Sequence, residues 1–150
     1  MAEFGSNSKQ IIETTTTIVE YVNNIIYLRM KDGAEVNLEN TIEQFKAQAE
    51  LTKNDYYGVL VDGRNYVIMD KESRKYMATH MAPKRVATAL LTQHNIAMRL
   101  LANIYMKIDK PTVETRLFGE EAEAVKWLNA RLQHKRNLLK RELHTNNYNK

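Results

Sequence analysis

Residues 112–132 read TVETRLFGEEAEAVKWLNARL, and this stretch decides the fold class. Val113, Thr115 and Leu117 alternate with Glu114 and Arg116, the period-two pattern of a strand with one buried face, and Gly119 breaks it. Beyond the glycine, Ala122, Val125, Leu128 and Leu132 recur at helical spacing. Glu120 and Glu121 sit in the first turn, where carboxylates favour the positive end of the helix dipole. A strand that feeds directly into an amphipathic helix points to an α/β domain.

Working outward, β-branched residues dominate Thr14–Val22, Asn23-Asn24 tolerates the left-handed backbone of a tight turn, and Ile25–Met30 alternates again, which predicts a β-hairpin. Asp32-Gly33 turns the chain. Asn40, with Glu43 three residues on, resembles a capping box opening a helix through Ile42, Phe45 and Ala49 that fades near Asn54. Tyr56–Val61 is a continuous apolar run of strand length, as expected of a central strand covered on both faces. Asp70 can cap a second helix, which must stop before Pro83; Val86–Leu91 reads as another buried strand, and His94–Ile108 as a helix. The pattern predicts an α/β fold with a single mixed sheet of four to five strands, an N-terminal hairpin and about four helices.

At 150 residues the chain suits one domain and needs no disulfide; having no cysteine, it has no thiol catalysis or thiolate metal site. No apolar run approaches the ~20 residues that span a bilayer. The cytoplasm is the expected compartment. MAEFGS at residues 1–6 reads as a cloning scar, so residues 1–8 are set apart as a remnant and disordered N-terminus, with the domain at 9–132 and a basic extension at 133–150. That extension carries Lys135, Arg136, Lys140 and Arg141, and residues 131–150 account for more than the whole net charge of +4. A solvated prolongation of the last helix that frays at Thr145 is the plain reading; an arm for an acidic partner is the functional one. With only Tyr148 there to stack on a base, nucleic acid is not the expected partner.

Catalytic patterns are missing. Beyond Ser6 and Ser8, Ser73 is the sole serine, and no G-x-S-x-G surrounds it. His80, His94, His134 and His144 lack ligand spacing, so no metal is expected; Gly58, Gly63 and Gly119 stand singly and build no phosphate loop, so neither is a cofactor.

The order of elements, with LVDGR at 60–64, ALLTQHNIAMRLLANIY at 89–105 and RLFGEEAEAVKWL at 116–128, resembles the SpoIIAA-like domains of the STAS superfamily, small bacterial α/β domains. The marker is Phe118, Glu120, Glu121, Ala124, Trp127 and Leu128, and the likeness covers most of residues 14–132. It implies a binding or regulatory module rather than an enzyme. Relatives that antagonise anti-sigma factors are switched by phosphorylation of a serine in an Asp-Ser-Gly context; here no serine follows Asp62, which leaves Ser73 as the candidate phosphoacceptor, with a plain first-turn capping serine as the alternative.

The helix at 94–108 is apolar over more than one face. Ile96, Ala97, Leu100, Leu101, Ile104 and Ile108 suffice to cover a sheet, leaving Met98, Ala102, Tyr105 and Met106 as spare apolar surface. These four are the candidate interface or ligand-groove residues. The expected function is non-enzymatic: self-association, as a homodimer, or binding of a protein partner; the alternative is a small apolar or lipid-like ligand held in a groove beside this helix. A closed pocket against the helix favours the ligand, and a flat patch shared across a two-fold axis favours association.

Overall fold

The computed structural model describes residues 8–65, 67–80 and 82–149; the cloning-scar reading of residues 1–6 lies outside them. Strands β1 (Gln10–Glu13), β2 (Thr17–Val22) and β3 (Ile25–Met30) form an antiparallel meander. The predicted hairpin is β2–β3, closed by Asn23 and Asn24 at φ 51° and 63°, the paired left-handed conformation of a type I′ turn. The threonines before it build a turn instead of strand: the Thr14 hydroxyl donates to the Thr17 carbonyl at 2.9 Å and accepts from the Thr17 N–H at 3.1 Å.

After β4 (Ala34–Val36), helix α1 (Leu38–Thr52) starts three residues earlier than predicted. Asn37, not Asn40, is the N-cap; its side chain accepts from the Asn40 N–H at 2.9 Å, and Asn40 Oδ1 accepts from the Asn37 N–H. Glu43 is thereby free to accept from the Thr15 N–H. The remaining elements are β5 (Tyr57–Asp62), β6 (Val67–Met69), α2 (Lys71–Thr79), β7 (Arg85–Leu91), α3 (Ile96–Ile104) running into a π-helical turn (Tyr105–Asp109), β8 (Thr115–Phe118) and α4 (Glu121–Tyr148). Asp70 caps α2 as predicted, accepting from the Ser73 N–H.

The class is α/β with a mixed sheet, but that sheet has six strands rather than four to five, in the order β1-β2-β3-β5-β7-β8, and β4 pairs with β6 in a separate parallel ribbon. The extra strands are three or four residues long, too short for alternation to show. From β3 to β8 every step is parallel and moves to the next strand on the same side. Right-handed crossovers in one direction put their helices on one face, so α1, α2 and α3 share a face and α4 takes the other alone.

On the α4 face, Ala124, Leu128 and Leu132 pack on Ile25, Leu60, Ala87, Ala89 and Leu91. Gly58 permits that approach, since a Cβ there would lie 3.2 Å from Leu128 Cδ2. Opposite, Ala47 and Leu51 of α1 pack on Val19, Ile26, Leu28, Tyr57 and Val59. Beyond Leu132, helix α4 leaves the core and continues to Tyr148, past the expected fraying point at Thr145. Among the described residues no helix is long and apolar enough to cross a membrane.

Candidate functional site

Three short helices cannot tile the face they share, and a cavity remains between them and the sheet. Its floor is Leu28 and Met30 of β3, Val61 of β5, and Thr88 and Leu90 of β7. Its walls are Gln44, Phe45 and Gln48 of α1, Met69 of β6, Arg74 and Met77 of α2, Met98, Leu101 and Ala102 of α3, and Tyr105 of the π-helical turn. Counted as room for the centres of water-sized spheres, its volume is about 80 Å³. A single water needs roughly 10–15 Å³ on that measure. Four of the seven methionines line it, and their unbranched, polarisable side chains adapt to irregular apolar shapes.

Helix α3 presents to this cavity the residues that the sequence marked as spare. Met98 and Ala102 are buried and line it with Tyr105; Met106 is half-buried and lies outside it. The sheet-facing assignment is corrected: Ile96, Leu100, Ile104 and Ile108 do not cover the sheet but lie outward, 75%, 60%, 38% and 68% exposed. The reason is the N-cap. Asn95 accepts from the Met98 N–H at 3.2 Å while its amide reaches the Arg64 carbonyl at 3.3 Å, which fixes the rotation of α3 by a polar contact rather than by bulk of side chains. Gly63 completes the fit, because a Cβ on it would stand 2.9 Å from the Leu91 carbonyl and 3.2 Å from Met98 Cε.

Polar groups gather at one wall. Arg85 donates from Nη2 to Gln48 Oε1 at 2.7 Å and lies 4.9 Å from the centre of the Phe45 ring. Arg85 Nε, Gln48 Nε2 and Gln44 Nε2 are buried without a hydrogen-bond partner. Arg85 reaches this wall through a β-bulge: β5 pairs Tyr57 with Arg85 but Gly58 with Ala87, and the extra residue turns the arginine to the helix-covered side. Arg74, the other arginine of the lining, is neutralised by Asp109 at 3.1 Å. Burial pushes the Tyr105 hydroxyl up to about 12, with Arg85 opposing and Asp109 reinforcing the shift. At the end of β5, burial raises the Asp62 carboxyl, but hydrogen bonds from Arg64 outweigh it and hold the group below its usual range.

Ser73 is fully buried, and its hydroxyl donates to the Val36 carbonyl at 3.3 Å. That placement, closed to solvent in the folded chain, counts against the phosphoacceptor reading and suits the plain first-turn serine. Lys135, Arg136, Lys140 and Arg141 lie on the projecting part of α4, with Lys135 Nζ 5.2 Å from the centre of the Tyr56 ring.

A family model described as a domain of unknown function, DUF7793, matches residues 19–132. No curated protein matches the chain. Among solved structures it is similar to an uncharacterized protein of the DUF3478 family with a SpoIIAA-like fold from Shewanella loihica PV-4, at 9% identity and a TM-score of 0.47, over 84% of this chain and 99% of that one.

Proposed function

This chain belongs to the DUF7793 family, and we propose that it is a non-enzymatic binding module that holds a small, largely apolar ligand beneath α3. The observation that carries this reading is the cavity itself, lined by Met30, Met69, Met77, Met98 and Ala102 and bounded by a few convergent polar groups, the usual make-up of a small-molecule site. Calorimetric titration with 1-octanol tests it. Saturable one-to-one binding that Ala102→Phe abolishes is expected; no saturation, or binding unaffected by that substitution, contradicts it.

A second reading, association with another protein or a second copy, is supported by the outward stripe of Ile96, Leu100, Ile104 and Ile108, four aliphatics at a spacing of four on one helix. Its test is the oligomeric mass of the Ile96→Lys, Leu100→Lys double variant. A wild-type dimer that becomes a monomer supports association, whereas an unchanged mass removes the stripe from consideration.

A further inference from the structure

Resting on the ligand-binding reading, we infer that the ligand is an amphipathic acid, with its tail among the methionines and a carboxylate received by Arg85, Gln48 and Gln44. Each unpartnered polar atom on that wall is an N–H donor, and a buried donor left unmatched is destabilising. Gln44 and Gln48 are only 2% and 1% exposed, so neither amide is placed to be satisfied by bulk water. The Gln48 amide has one possible sense: its oxygen accepts from Arg85, so its nitrogen is left to donate elsewhere. Charge points the same way. Arg74 has Asp109, but among the described residues no carboxylate lies within ion-pair distance of Arg85.

The head group follows by elimination. An ammonium would set donors against donors and like charge against Arg85. A hydroxyl could accept through its lone pairs but carries no charge and would leave the guanidinium unneutralised. A phosphate dianion would bring one charge more than the single unpaired arginine offsets. A carboxylate supplies two acceptor oxygens and one negative charge, and hydrogen bonds between charged partners are about twice as strong as neutral ones.

The test is calorimetric titration of the full chain at pH 7 with sodium octanoate, 1-octanol and octylamine, which share a tail and differ in the head. Octanoate is expected to bind about tenfold more tightly than octanol, and octylamine most weakly. Arg85→Gln should bring octanoate to the level of octanol and leave octanol within about twofold of wild type; Gln44→Leu, which keeps the arginine, should weaken octanoate selectively by about fivefold. Equal affinity for octanoate and octanol, a preference for the amine, or selectivity that survives both substitutions overturns the carboxylate while leaving the apolar site standing. Failure of all three compounds to bind overturns both.

Discussion

At the scale of single residues, Tyr105 gives a pH prediction. Its folded-state pKa is raised, to about 12, above the unfolded value near 10. Its contribution is therefore fully present below pH 10 and is lost as pH rises toward 12, with a size of about 2–3 kcal/mol. Tyr105→Phe is expected to flatten the alkaline limb of chemical-denaturation stability measured between pH 9 and 12; an unchanged limb contradicts the burial of the hydroxyl. Gly63→Ala is expected to cost about 1–3 kcal/mol in the same assay, because the added methyl meets the Leu91 carbonyl. Wild-type stability would show that this approach is looser than described. The sequence allowed some of this site to be read. An apolar arc wider than one sheet needs singled out Met98, Ala102 and Tyr105, but two interleaved arcs on one helix carry no sign of which faces inward, and the deciding contact is made by Asn95. Arg85 and the glutamines left no signal: a basic residue opening a strand and polar residues four apart on a helix read as solvated until a bulge and a neighbouring helix enclose them.

At the scale of elements, burial along α4 separates structure from extension. Leu128 is fully buried against β5 and β7, so Leu128→Ala should cost about 2–5 kcal/mol of unfolding free energy. Residues 133–149 add no buried side chain, so a chain ending at Leu132 should keep its thermal midpoint within about 4 °C, the shift that ~1 kcal/mol produces in a domain of this size. A larger drop would assign the extension a part in the fold. The hairpin and the β8-to-α4 unit were legible from their periodicity, the central strand from its unbroken apolar run, and α2 from the Asp70 cap and the stop before Pro83. The short β1, β4 and β6 were not, because three or four residues do not establish a period and their pairing is decided by distant partners.

For the whole molecule, the direction of the sheet links topology to the cavity. Successive parallel steps place α1, α2 and α3 on one face, and the gap lies between the sheet and these helices of fifteen, nine and nine residues. Helix α3 borders that gap with one arc and solvent with the other, so an occupant would press on the same helix that carries the exposed aliphatic stripe. Occupancy should also stabilise the fold, by about 2.7 kcal/mol at a hundred times the dissociation constant. The methionine methyl groups give the most direct view of the gap. In carbon-labelled protein titrated with octanoate, the methyl resonances of Met30, Met69, Met77 and Met98 are expected to shift together along one saturation curve while that of Met106, outside the lining, stays in place; shifts confined to Met106, or no shift in any of the five, would contradict the account.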